Sequence, residues 1–208
     1  ERNKIKATFF ILGWVAESNP NLVKRIYAAG HEIASHGYYH QLNYNMTNEA
    51  LYQDIQKSKH VLESIINDKV LGYRAPTFSI SEELIQILGE LNFKYDSSFN
   101  QFSKHDRYGK FQNSKKKAVF KVSEKIIEVS LPVSKIFKQE VPIAGGGFFR
   151  LYPLWFTKSL IKKYYKYNNY YVFYAHPWEF DPNMPRLKNI GFVNKFRHYV
   201  NIESNYKK

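Results

Sequence analysis

The sequence predicts an α/β fold of one domain, residues 1–208, in which parallel strands alternate with crossover helices. Three observations predict it. Short apolar runs alternate with segments of helical periodicity. Pro, Ser, Thr and Gly stand at the ends of those segments, where caps belong. No internal repeat and no linker rich in Pro, Gly or Ser divides the chain.

The elements follow in order. KATFFIL, residues 6–12, reads as a short buried strand. A helix opens at Asn19-Pro20 and stops at Gly30, because Pro suits the first turn and Gly the C-terminal cap. Residues 31–35 form a second strand. Thr47 caps a long helix whose apolar face holds Leu51, Ile55, Leu62 and Ile65. Residues 70–73 are a strand. Ser81 caps a further helix, with Glu82 and Glu83 in the first turn favourable to the dipole and Leu84, Ile87, Leu88 and Leu91 as its stripe. Residues 93–95 are a strand again. The second half is less regular: 118–122 and 126–130 read as a hairpin across Ser123-Glu124-Lys125, 153–166 as a helix, and 170–175 as a very apolar strand.

Composition narrows the classes. A length of 208 residues supports one domain with a real core. No apolar run is long enough to span a bilayer. Cys is 0, which excludes disulfides, thiolate metal sites and a cysteine nucleophile. No secretory signal is visible, and the chain opens at Glu1 without a methionine, so its natural start is expected upstream. The net charge of +13 comes from scattered Lys with one dense run at Lys115, Lys116 and Lys117. Such a surplus is read as solubility rather than nucleic-acid binding. Tyr 17 and Phe 16 suit a sugar-binding cleft and an ordinary core alike.

Four predicted strands each end on a residue able to ligate, ionise or transfer a proton: His36 after HEIAS, Arg74 after VLGY, Asp96 after FKY, and His176 after YYVFYA. In parallel α/β barrels the chemistry sits just past such strand ends. His36 and His40, four positions apart, face one ion if the segment makes a helical turn; otherwise they are two surface histidines in a loop. His31, His60, His105 and His198 show no such partner. An Arg at a strand end such as Arg74 is able to fix a carboxylate, and Pro76 stiffens a loop able to hold a backbone N–H toward a developing oxyanion. On these residues alone a rigid turn with a surface Arg is the favoured reading. His176 is a candidate general acid or base, with Trp178 as an apolar wall, or a satisfied histidine at a barrel rim. The Gly145-Gly146-Gly147-Phe148-Phe149-Arg150 segment lacks the Lys-Ser or Lys-Thr ending of a phosphate loop and reads as a tight turn beside a substrate cleft.

These residues resemble a known family. TFFILG (8–13), GHEIASHGYYH (30–40), YRAPTFSI (73–80) and YDSS (95–98) resemble polysaccharide deacetylases with the NodB homology fold, carbohydrate esterase family four. GGGFFRLYP (145–153), FYAHPWEFDP (173–182) and FRHYVN (196–201) look like the subgroup encoded in bacterial exopolysaccharide loci. The resemblance implies a distorted (β/α) barrel of the glycoside hydrolase/deacetylase type, here lacking its first strand or strands. It implies hydrolysis of N-acetyl groups from an amino-sugar polysaccharide or lipid-linked oligosaccharide, with no nucleic-acid partner. It also implies a divalent ion, zinc being the expected one, bound by His36, His40 and an Asp. Arg74 matches the residue that orients the catalytic base, Thr77 the oxyanion-hole N–H, and His176 the general acid, with Glu179 and Asp181 next in line as donors. Phe78, Asp96, Tyr174, Trp178 and Arg150 are the expected substrate contacts.

The chain departs from the family pattern. Two acidic residues belong upstream of Thr8, one as base and one as third ligand, yet only Glu1-Arg-Asn-Lys-Ile-Lys-Ala7 stands there, and Glu1 is too close to the strand for either role. The expectation is a fragment, inactive by itself. The tryptophan-bearing fourth motif is replaced by YDSSF. Other readings are a metal-free, allantoinase-like amide hydrolase, against which the paired histidines speak, and a basic non-catalytic glycan-binding module. The compartment, bacterial cytoplasm or cell envelope, and the oligomeric state stay open.

Overall fold

The structure, a computed structural model, describes residues 4–102, 109 and 118–205. Glu1, His105 and the basic run Lys115, Lys116 and Lys117 lie outside the described residues. The chain divides into two compact units, Glu1–Asn100 with Lys104–Ser130, and Gln101–Ser103 with Leu131–Lys208.

The first unit is the α/β part. In chain order it holds β1 (Thr8–Ile11), α1 (Gly13–Ser18), α2 (Pro20–Ala28), β2 (Glu32–Ser35), α3 (Asn48–Ile66), β3 (Gly72–Tyr73), α4 (Glu82–Glu90), β4 (Tyr95–Asp96), β5 (Val119–Lys121) and β6 (Ile127–Val129). The strands form a six-stranded sheet in the order β1-β2-β3-β4-β6-β5. Every pairing is parallel except the antiparallel hairpin of β5 and β6. Crossover helices are what a parallel neighbour requires, so the alternation read in the sequence translates into this sheet. Thr47 accepts a hydrogen bond from the Ala50 N–H, and Ser81 from the Leu84 N–H, as their positions predicted. The core joins Ile33, Tyr73 and Phe93 to Val23 of α2, to Leu51, Ile55 and Leu62 of α3, and to Leu84 and Leu88 of α4. Each such side chain contributes roughly 1.5–3 kcal/mol by leaving water.

The second unit holds β7 (Val133–Ile136), β8 (Gln139–Pro142), α5 (Gly146–Leu151), α6 (Leu154–Asn168), α7 (Phe192–Tyr199) and α8 (Ile202–Asn205). The strands β7 and β8 pair antiparallel, and the turn residues Phe137 and Lys138 both have positive φ, 44° and 67°. That is the mirror-image turn whose twist suits a hairpin. Leu131, Ile143, Leu160 and Ile202 are buried here.

Two expectations are corrected. Residues 170–175 are no strand: among the described residues their ladder contact is one parallel bridge, Tyr174 with Gly145. There the Tyr174 N–H donates to Ala144 O at 2.8 Å and the Tyr174 carbonyl accepts the Gly146 N–H at 2.8 Å. The glycine-rich segment is not a turn either. Gly145 is the N-cap of α5, and the helix begins at Gly146.

Candidate functional site

In the first unit, the loop after β2 carries the two histidines. Gly37 and His40 take positive φ, 76° and 61°, which folds the segment back on itself and brings the two imidazoles edge to face, centroids 5.1 Å apart. His36 Nδ1 lies 2.6 Å from the carbonyl oxygen of Arg74. A carbonyl only accepts, so Nδ1 carries the proton and Nε2 keeps its lone pair. An outer hydrogen bond of this kind is how a metal-binding imidazole is oriented.

The loop is also fixed from α3. Asp54 accepts the N–H groups of Tyr38 at 2.7 Å and Tyr39 at 3.1 Å. Gly13 N–H donates to Gly37 O at 2.9 Å. A Cβ on Gly37 would lie 2.9 Å from Asp54 Oδ2, so the carboxylate needs this glycine on two counts, space and φ.

Arg74 ends β3. Its Nε donates to Ser97 O at 2.9 Å, its Nη2 to Ser97 Oγ at 2.7 Å, and its guanidinium carbon lies 4.2 Å from the Phe10 ring centroid. Thr77 and Phe78 follow with φ of 53° and 58°. Two consecutive non-glycine residues in that region store strain, a property that clusters at functional loops. Both are partly exposed, so the structure sets His36, His40, Arg74, Thr77 and Phe78 around one end of the parallel sheet.

The fit to a divalent ion is partial. Two imidazoles, one with a fixed tautomer, are suitable zinc-type ligands. Among the described residues no group of three or more His, Cys, Asp or Glu side chains is arranged to hold an ion.

In the second unit, His176 precedes the 3-10 turn Pro177–Phe180. Its ring is exposed, and Nδ1 lies 2.9 Å from Glu179 Oε1. Trp178 is stacked with His176 (5.6 Å, 17°) and with His198 (4.3 Å, 28°). Trp178 thus lies against the His176 ring, as an apolar wall would, and is half-buried. Tyr174 stands edge-on to His176 at 6.1 Å.

Asp96 and Arg150, expected at the substrate, are instead interior. Asp96 is 0% exposed, accepts Ser98 Oγ–H at 2.6 Å, and sits in register opposite Glu128. Arg150 is 2% exposed and donates from Nε to Glu179 Oε2 at 3.1 Å and from Nη1 to the carbonyls of His198 and Val200 at 3.1 and 2.8 Å. Asp181, a stand-by donor, accepts the N–H of Asn183 at 2.9 Å and closes a turn. Asp54 and Ser97 were not singled out from the sequence. An aspartate on a helix and a serine after a strand carry no signal until the loops they hold are known.

Comparison with known proteins completes the picture. The family described as "Polysaccharide deacetylase" matches residues 1–95, and that described as "Domain of unknown function (DUF3473)" matches residues 97–208. Over 91 residues, 44% of this chain and 42% of the relative, the chain is 32% identical to a peptidoglycan-N-acetylglucosamine deacetylase of Bacillus cereus. Over 95 residues, 43% of this chain and 19% of the relative, it is 41% identical to the peptidoglycan-N-acetylglucosamine deacetylase PgdA of Listeria monocytogenes. The chain thus spans less than half the length of these curated relatives. A crystal structure of a putative polysaccharide deacetylase from Mycobacterium smegmatis superposes with a TM-score of 0.62 at 20% identity, covering 98% of this chain and 67% of that one. A CE4 family pseudoenzyme from Bacillus anthracis superposes with 0.53 at 14% identity, covering 99% of this chain and 52% of that one. These likenesses establish the α/β fold of the deacetylases. The chain belongs, through residues 97–208 and so over more than half its length, to the DUF3473 family, and its residues 1–95 match the polysaccharide deacetylase family.

Proposed function

We propose that the full-length protein hydrolyses N-acetyl groups from an amino-sugar polysaccharide with the help of a divalent ion, zinc being the expected one. The observations that carry this reading are the hydrogen bond that orients the His36 ring on Arg74 O and the His40 ring 5.1 Å from it, two imidazoles of the kind that ligate a divalent ion. A divalent ion held there supplies Lewis acidity toward water and the acetamide carbonyl.

The chain's own groups do the rest. The Thr77 N–H supports the oxyanion that forms as water oxygen bonds to the acyl carbon. Arg74 orients the carboxylate that takes the proton of water; the resemblance puts that carboxylate, and the third ligand, N-terminal to Thr8. The C–N bond then breaks, and His176 protonates the departing amine. Acetate and a glucosamine-type unit leave. Phe78, Tyr174 and Trp178 are the candidates for substrate contact that are not buried. The substrates named for the curated relatives make peptidoglycan-like N-acetylglucosamine polymers the first to assay; the exopolysaccharide motifs make a secreted glycan or its lipid-linked precursor the second.

The test uses the full-length protein. His36→Ala is expected to lose bound zinc and acetate release together. His176→Ala is expected to keep its zinc and lose roughly a hundredfold in kcat. Zinc loss from His176→Ala would make that residue a ligand, and full activity would place the donor elsewhere. Absence of turnover by the unmodified protein, with tight glycan binding, would favour the non-catalytic module.

A further inference from the structure

We propose that Glu179 is the positioning residue for His176, held in place by Arg150 and admitted by the missing side chain of Gly146. The inference rests on the reading of His176 as proton donor, and adds the device that would aim it.

The geometry is that of a closed chain of partners. Glu179 Oε1 accepts both the His176 N–H at 3.1 Å and the imidazole Nδ1–H at 2.9 Å. The carboxylate thereby fixes the ring's rotation and its tautomer, and turns Nε2 outward, where 56% of the side chain is exposed. Glu179 itself is only 2% exposed. Its Oε2 accepts from Arg150 Nε at 3.1 Å, and its backbone N–H and carbonyl are bound by His176 O at 3.0 Å and Asn205 Nδ2 at 2.8 Å. Arg150 is in turn locked on the carbonyls of His198 and Val200. Both carboxylate oxygens of Glu179, its backbone, and the guanidinium behind it are thus tied to partners. Burial alone would raise the Glu179 carboxyl, but the hydrogen bonds from His176, then the charges of His176 and Arg150, hold it below its ordinary value. It is therefore ionised in the range where an amide hydrolase works, and suited to stabilise the imidazolium that must exist before a proton can be given away.

Gly146 shows that the arrangement is built. A Cβ there would lie 2.2 Å from Glu179 Oε2 and 2.7 Å from its Cδ, too close for any side chain. Glycine is a poor choice for the first turn of a helix. At this position the carboxylate requires it. All these residues lie within the second unit, so the aimed imidazole is assembled by residues 146–205 alone.

Two arms test the proposal. The first needs no activity: long-range proton–nitrogen correlation of the His176 ring, at a pH where it is neutral, reports its tautomer. The unmodified chain is expected to show Nδ1–H. The double variant Arg150→Met with Glu179→Leu swaps the buried pair for apolar groups of similar volume, which such sites tolerate. There the ring is expected to revert to Nε2–H, the form preferred in solution. Gly146→Ala displaces the carboxylate with all charges kept, and is expected to do the same should the double variant fail to fold. Nε2–H in the unmodified chain, or Nδ1–H persisting in a folded variant, overturns the proposal.

The second arm uses the full-length protein with Glu179→Gln, which keeps an acceptor for Nδ1–H but removes the charge. A fall in kcat of about tenfold or more at nearly constant KM is expected; equal kcat, or an effect on KM alone, overturns it. Full activity of His176→Ala would remove the proton-donor reading while leaving the tautomer result standing, so the two failures are distinguishable.

Discussion

Glu128 faces Asp96 across the parallel pair β4·β6, and both side chains are wholly buried. Glu128 Oε1 accepts the Phe99 N–H at 2.9 Å and Asp96 Oδ1 accepts Ser98 Oγ–H. Burial raises both carboxyls, Glu128 well above its ordinary value because Asp96 adds like charge. Burial and like charge together favour a proton shared by this pair. A carboxyl raised in the folded state stabilises the fold fully below its unfolded value, and that stabilisation is lost as pH rises through the folded value. Glu128→Gln replaces the shared proton with an amide N–H and keeps an acceptor for Phe99. The melting temperature of the variant minus that of the parent is therefore expected to grow with pH from about 5 to about 9; a difference independent of pH would refute the shared proton. At the loop, Gly37→Ala sets a Cβ against Asp54 Oδ2 and asks a β-carbon to take φ of 76°. Zinc affinity is expected to drop about tenfold or more, the scale of a disturbed outer shell, while the helical circular dichroism stays. Of these residues, His36 and Arg74 stand out in the sequence because each follows a strand, and His176 only through its motif, since no strand precedes it. Asp54 and Glu128 do not, because what they contribute is a backbone acceptor and a buried partner, and neither leaves a pattern along the chain.

At the scale of elements, local chemistry decided where the reading succeeded. The helices α3 and α4 start where Thr47 and Ser81 said they would, because a side-chain oxygen for an orphan N–H is a local matter. Thr47→Ala and Ser81→Ala are each expected to cost about 1 kcal/mol, measured as a shift in urea midpoint at constant slope. Elements whose cause lies elsewhere were misread. Residues 170–175 are mostly aromatic, with one β-branched valine, yet strand formation depends on a neighbour, and among the described residues the ladder contact is the single bridge to Gly145. The β7–β8 hairpin was overlooked because Phe137-Lys138 lacks the Asn-Gly signature of its turn. Three glycines hid α5, since helix propensity argues against them and the reason for Gly146 sits on another element.

At the scale of the whole molecule, a charge of +13 makes association with any polyanion expected, whether or not it is a substrate. Retention on a sulfated glycan should fall steeply with salt and be the same for His36→Ala and His176→Ala as for the parent. Retention that depended on either histidine would tie the charge to the site and revive a glycan-binding role for it. The α/β fold was readable because alternation of strand and helix is a property of the entire sequence. The division into two compact units was not, since no change in composition accompanies it near residue 130.

The fit of Glu179 against Gly146 also constrains how this chain can change over generations. While the carboxylate is in place, even alanine at 146 forces it to move, because the methyl group would occupy the space of Oε2. Substitution at 146 is therefore expected to be accepted more readily after position 179 has lost its carboxylate than before, so the two positions, on separate elements of the second unit, are expected to drift together rather than singly.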